Sequence, residues 1–159
     1  RNQNHITFDE LVDILSEGDP NFPDIIVMEY LSGKEFSVDC YKRKDEFFCV
    51  PRTREVIKDG ISVAGTVVQN EELVRASKNI YEKLKINYNA NIQFRYDKNG
   101  APKLLEVNPR LSGTLEHCRG AGINFIEIAI HDILGIHDKL KYDIRWGTKM
   151  IRVWNEIFF

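Results

Sequence analysis

The sequence predicts an α/β protein of the α+β kind, with a mostly antiparallel sheet and helices packed on it. Three observations carry this. Strand-length runs that alternate apolar and polar residues, such as residues 35–42, stand in mixed order with stretches of helical apolar spacing, such as residues 71–85. Short turn signals, Asp59-Gly60 and Asn99-Gly100, join neighbouring strand runs and make them antiparallel. The chain has 159 residues, of which 43% are hydrophobic and 29% charged, so it can bury the core of one ordinary domain.

Each element follows from local chemistry. Thr7 and Glu10 make a T-x-x-E capping box, and Phe8, Leu11, Val12 and Leu15 form a helical stripe that stops near Gly18. Residues 19–24 hold Pro20 and Pro23 and read as a loop. Residues 25–31 are β-rich and are punctuated by Ser32-Gly33. In the run 35–42, Phe36, Val38 and Cys40 face one way and Ser37, Asp39 and Tyr41 the other. Residues 46–57 and 61–68 read as further strands. Asn70 caps a helix over 71–85 with Leu73, Ala76, Ile80 and Leu84 on one face. Strands at 91–97 and 103–108 follow, then a Gly-punctuated loop over 109–122. An apolar helix over 124–134 ends at Gly135, and 149–158 reads as a last strand.

Charge and cysteine usage exclude several classes. Twenty-two Lys+Arg against 24 Asp+Glu leave a net charge of −2, which gives no polybasic footprint for nucleic acid or an anionic membrane. The apolar runs are too short to span a bilayer, and no signal peptide is legible. Three cysteines without a CxxC pair argue against a disulfide scaffold or structural zinc, so a reducing, cytoplasmic setting is expected. The chain opens on Arg1, which reads as a piece of a longer protein.

Residues 91–110 carry the chemistry. If Asn99-Gly100 is a two-residue type I′ loop, opposed residue numbers sum to a constant that places Gln93 across from Glu106 and Asn91 across from Asn108. Ile92, Phe94, Tyr96, Leu105 and Val107 then form a core face, while Asn91, Gln93, Arg95, Glu106 and Asn108 share the other. Pro102 lacks a ladder donor and belongs at a strand start or edge. Carboxylate and amide oxygens gathered on one face suit a hard cation such as Mg²⁺, and Arg110 can reach a nearby anion. The plain alternative is a solvated sheet face.

The stretch Asn91-Ile92-Gln93-Phe94, followed by Leu104-Leu105-Glu106-Val107-Asn108-Pro109-Arg110-Leu111-Ser112-Gly113-Thr114, resembles the ATP-grasp family. It looks closest to the large chain of carbamoyl-phosphate synthases and related carboxylate–amine ligases. The resemblance implies that Gln93, Glu106 and Asn108 are Mg²⁺ ligands and that Arg110 contacts the transferring phosphoryl group. It implies further that Met28, Glu29, Tyr30 and Leu31 form the hinge that reads adenine, and that Glu35 holds the ribose hydroxyls. Gly60 and Ser62 match a step near the phosphates, with Arg52 and Arg54 as helpers or as plain surface arginines. The cofactors implied are ATP and Mg²⁺, with Mn²⁺ as a substitute. The likeness covers residues 25–159 as a C-terminal lobe, with 1–24 as a remnant of a preceding lobe. That preceding lobe, with its phosphate lysines and Gly-rich loop, is the missing partner. A small carboxylate or bicarbonate and an amine donor are the implied substrates, and a second copy of the chain is a further candidate partner.

Other candidates are weaker. His131 and His137 lie on different helix faces, and neither sits in a zinc-binding pattern. His117, Cys118 and Arg119 could form a reactive thiol site only with an orienting partner. Phe158 and Phe159 read as packing residues. Two function classes therefore stand: an ATP-dependent ligase lobe, and a degenerate nucleotide-binding or assembly module without turnover.

Overall fold

A computed structural model describes residues 6–17, 26–136 and 142–154. The chain forms two compact units, residues 1–30 and 31–159. The first holds helix α1 (Phe8–Ser16). Thr7 caps it through both halves of the capping box: its hydroxyl accepts from the Glu10 N–H at 3.2 Å, and the Glu10 carboxylate accepts from the Thr7 N–H at 2.6 Å. The loop expected at 19–24 lies outside the described residues.

The second unit runs β1 (Glu35–Arg43), β2 (Glu46–Thr53), β3 (Val56–Lys58), β4 (Ile61–Thr66), α2 (Glu71–Leu84), β5 (Tyr88–Tyr96), β6 (Pro102–Asn108), α3 (Glu116–Gly120), α4 (Phe125–Ile133) and β7 (Lys149–Ile151). Its strands divide between two antiparallel sheets, ordered β2-β1-β5-β6 and β3-β4-β7, where the sequence suggested one. The stretch expected as one strand over 46–57 changes sheets midway. Arg54 N–H still donates to the Glu35 carbonyl of the first sheet, while Glu55 N–H donates to Ala64 of the second.

Strand β1 is buried on both faces, so its alternation does not separate core from solvent. Phe36, Val38 and Cys40 pack with Ile92, Phe94 and the α2 residues Leu73 and Tyr81. On the opposite face Tyr41 joins Val50, Cys118, Ile123, Phe125 and Ile128 in a second core. The expected caps hold: Asn70 accepts from Leu73 N–H at 3.0 Å, and Asn124 from Ile126 N–H at 3.2 Å. Asp59 and Gly60 both have positive φ, the requirement of a type I′ turn.

Three expectations are corrected. Residues 26–31 form no strand: they are β-rich but have no ladder partner among the described residues, and β propensity reports fit to a neighbouring strand. The 109–122 loop contains α3. The last strand ends at Ile151, and 155–158 lies outside the described residues. Among the described residues no helix is long and apolar enough to cross a membrane.

The β5–β6 hairpin agrees at its far end and differs at its turn. Asn91 pairs with Asn108, Ile92 with Val107 and Gln93 with Glu106, as the sequence register requires. From Phe94 the partners shift by one, to Leu104, Lys103 and Pro102. The loop is three residues, 98–100, closed by Asp97 N–H to the Ala101 carbonyl at 2.9 Å, and only Gly100 has positive φ. Leu105, expected in the core, is instead the extra residue of a bulge. Loop and bulge each insert one residue, and the second restores the register that the first displaces.

Candidate functional site

Because the register recovers at Glu106, the polar face assembles as the sequence expected. Gln93 stands on the inner strand β5, with Glu106 and Asn108 on the edge strand β6. The Gln93 amide donates to Glu106 Oε1, and Asn108 Nδ2 donates to the same oxygen at 2.7 Å. One carboxylate oxygen thus gathers two amides. A half-turn of each amide would bring its carbonyl oxygen toward the same point, giving an oxygen-only donor set with one carboxylate. Such a set fits Mg²⁺, which takes one or two carboxylates and completes its shell with water and phosphate oxygens. Among the described residues no cluster of three or more His, Cys, Asp or Glu offers an alternative metal site.

Beside Gln93 lies a cavity of about 200 Å³. Gly60, Ser62, Gln93 and Arg110, all expected at the site, line it together with Arg54 and Asn91. Its wall is small and hydroxylic, through Ser37, Ser112 and Thr114. Arg110 is exposed at the cavity and donates through Nη1 to the Leu111 carbonyl at 3.1 Å.

Arg54 ties strands β1 and β5 to the β3–β4 turn. Its guanidinium donates to Gln93 Oε1 and to the Gly60 carbonyl at 2.7 Å, and pairs with Glu35 at 3.1 Å. Its side chain is only 6% exposed, and its Nε has no partner among the described residues. Burial pulls its pKa down, Glu35 and Glu106 oppose that shift, and Arg52 adds to it. Glu35 also lies 3.9 Å from Arg95. The expected ribose ligand is thus held by two arginines.

Below the cavity a buried polar network fixes the floor. Asn91 Nδ2 donates to Ser37 Oγ and Asp39 Oδ1, each at 2.8 Å. Arg52 contacts Asp39 Oδ2 through Nε at 2.8 Å and Nη2 at 2.7 Å, and reaches Ser112 Oγ at 3.0 Å. Burial is the largest single influence and works against the Arg52 charge, but Asp39 and Cys118 together outweigh it and the pKa is raised. Neither Arg52 nor Arg54 is a surface arginine, because the β1–β2 register sets Ser37 against Arg52 inside the sheet. That register is the signal sequence reading missed, and it would have drawn Ser37, Asp39 and both arginines into one set.

The remaining candidates fall elsewhere. Met28, Glu29 and Tyr30 are exposed residues of the first compact unit, whereas Leu31 is buried in the second. Cys118 donates to Asp39 Oδ2 at 3.3 Å and burial pushes its thiol up, so it is no nucleophile. His117 shares a hydrogen bond with the Thr148 carbonyl at 3.0 Å, and burial lowers its pKa. Tyr41 donates to Asp132 at 2.8 Å and supports α4. His137, Phe158 and Phe159 lie outside the described residues.

Similar folds recur among solved structures. The phosphoribosylaminoimidazole carboxylase ATPase subunit of Aquifex aeolicus aligns with 83% of this chain and 42% of its own, at TM-score 0.67 and 16% identity. N5-carboxyaminoimidazole synthetase of Staphylococcus aureus, complexed with ADP, aligns with 77% of this chain and 36% of its own, at TM-score 0.62 and 16% identity. L-amino acid ligase of Bacillus licheniformis aligns with 76% and 33%, at TM-score 0.58 and 18% identity. This chain spans less than half the length of each. No curated protein matches it. The model of the family described as "ATP-grasp in the biosynthetic pathway with Ter operon" matches residues 21–153, nearly the whole chain, and the chain accordingly belongs to that ATP-grasp family.

Proposed function

We propose that the chain is the ATP- and Mg²⁺-binding lobe of a ligase that activates a small carboxylate or bicarbonate for attack by an amine. The observation that carries this is the meeting of Gln93, Glu106 and Asn108 beside a cavity lined by Arg54 and Arg110. A cation-binding corner next to two guanidinium groups is what a metal-bound polyphosphate requires. The similarity to an ADP-complexed synthetase supports the nucleotide, and the similarity to ligases supports the reaction class.

In this reading the substrate carboxylate attacks the γ-phosphorus and the bond to the β-phosphate oxygen breaks, releasing ADP. The amine then attacks the acyl carbon and phosphate leaves. Gln93, Glu106 and Asn108 would hold the Mg²⁺, which when bound neutralises charge on the β- and γ-phosphates. Arg110 faces the transferring group, and Arg54 stands ready to exchange Gln93 for a phosphate oxygen. By the resemblance alone, Met28, Glu29, Tyr30 and Leu31 would contact adenine and Glu35 the ribose. The likeness of Glu106-Val107-Asn108-Pro109-Arg110 to carbamoyl-phosphate synthases makes bicarbonate a specific candidate acceptor.

The short span relative to the similar structures supports a second lobe that supplies phosphate lysines. The same observation favours the alternative of a nucleotide-binding or assembly module without turnover. Titration with ADP in Mg²⁺, in Mn²⁺ and in excess chelator tests the reading. We expect weak binding that needs a divalent ion and that Arg110→Ala weakens. Binding of equal strength in chelator contradicts the metal assignment.

A further inference from the structure

We propose that Cys40 and Cys49 form an oxidisable dithiol, which a peroxide closes into a disulfide across strands β1 and β2 and a thiol reductant reopens. The pair is placed by backbone register. Cys40 and Cys49 are direct partners in the β1–β2 ladder, and their sulfurs lie 3.5 Å apart, both as free thiols.

Antiparallel pairs alternate between hydrogen-bonded and non-hydrogen-bonded sites. Arg54 N–H donates to the Glu35 carbonyl at 2.9 Å, which makes Glu35 and Arg54 a hydrogen-bonded site. Counting along the ladder, Val38 with Pro51 and Cys40 with Cys49 fall on non-hydrogen-bonded sites. Pro51 agrees: it has no N–H to give, and its carbonyl points outward to accept from Val68 N–H at 3.0 Å. At such sites the Cα atoms approach to about 4.5 Å, within the range of about 4.4–6.8 Å that a disulfide spans. The sulfurs then have to close from 3.5 Å to the bonded distance of about 2.05 Å.

Access is asymmetric. Cys40 is buried against α2, whereas Cys49 is half-buried on the edge strand β2. Burial also keeps the Cys40 thiol protonated, so Cys49 meets the oxidant first. The Cys49 sulfur attacks a peroxide oxygen, the O–O bond breaks, and a sulfenic acid and one water form. The Cys40 sulfur then displaces the hydroxyl, which leaves as a second water with the Cys40 proton. Two thiols are oxidised and one peroxide is reduced. Cys118 serves as an internal control, since it is buried and bonded to Asp39 rather than to a second sulfur. Neither sulfur lines the cavity described above, so this site and the nucleotide reading stand or fall separately.

The test treats the reduced full chain with hydrogen peroxide, alkylates the remaining thiols after denaturation, and digests with trypsin. We expect a cross-linked product joining residues 35–42 to residues 45–52, a single alkylated thiol at Cys118, and loss of the cross-link on reduction. In Cys49→Ser, oxidation of Cys40 should fall by at least about tenfold, because the exposed partner is gone. Recovery of Cys49 as sulfinic or sulfonic acid, with Cys40 still alkylated, would overturn the proposal. So would a Cys40 that oxidises at the same rate in Cys49→Ser.

Discussion

Asp39 accepts from Asn91, Arg52 and Cys118, and so ties three elements together beneath the cavity. Removing it leaves the Arg52 guanidinium buried and uncompensated. Asp39→Ala should cost about 3–5 kcal/mol of stability, read from urea unfolding, whereas removing the exposed partner Glu116 of Arg119 should cost less than about 1 kcal/mol. Equal, small losses would contradict the burial of the Asp39–Arg52 pair. Asp97 acts through protons. The Ala101 N–H at 2.9 Å holds its carboxyl below the usual carboxylate range, helped by the Asn99 N–H at 2.8 Å and by Lys103. A folded-state pKa below the unfolded one adds stability above the unfolded value, about 3.9, and loses it as pH falls through the folded value. Melting profiles across that acid range should therefore be flatter for Asp97→Asn than for the wild type. Superimposable acid limbs would remove Asp97 from the account.

At the scale of elements, the β5–β6 hairpin shows what the sequence could and could not tell. Asn99-Gly100 marks the turn correctly, but the Asp97 side chain accepts from both Asn99 and Ala101 and selects a three-residue loop. Nothing local in Leu104-Leu105 announces the bulge, which settles where Ile92 and Val107 find the core. The polar face of Gln93, Glu106 and Asn108 was legible because its residues alternate with that core. The arginines were not, because their placement depends on the pairing of β1 with β2 and on a strand that changes sheets. The run at 25–31 looked β-rich by composition, yet 26–31 has no ladder partner among the described residues, and ladder partners rather than composition make a strand. Glycines test the same elements. Gly100 has φ +78° with no atom within 4 Å of an added Cβ, so Gly100→Ala should cost about 1 kcal/mol from the backbone alone. A Cβ on Gly33 would lie 2.5 Å from the Tyr96 carbonyl oxygen, against the strand pair that leads into Glu35. Gly33→Ala should cost clearly more in the same unfolding assay, and the reverse order would contradict the close approach of the two backbones.

For the whole molecule, one surface stands out. Helix α4 leaves Ile126, Ile130, Ile133 and Leu134 exposed along one side, Ile133 at 79%. Contiguous apolar surface of this kind is uncommon on a monomer. Light scattering should show mass rising with concentration, and Ile130→Glu should suppress the rise; a monomer at all concentrations would contradict it. The central claim is that Glu106, between Gln93 and Asn108, anchors the metal of a bound nucleotide. Calorimetric titration of MgATP into the wild type and into Glu106→Ala tests it most directly. The account predicts weak binding to the wild type, at least about tenfold weaker in Glu106→Ala, with the thermal melt preserved because Glu106 is exposed. Equal affinities in the two proteins would contradict it.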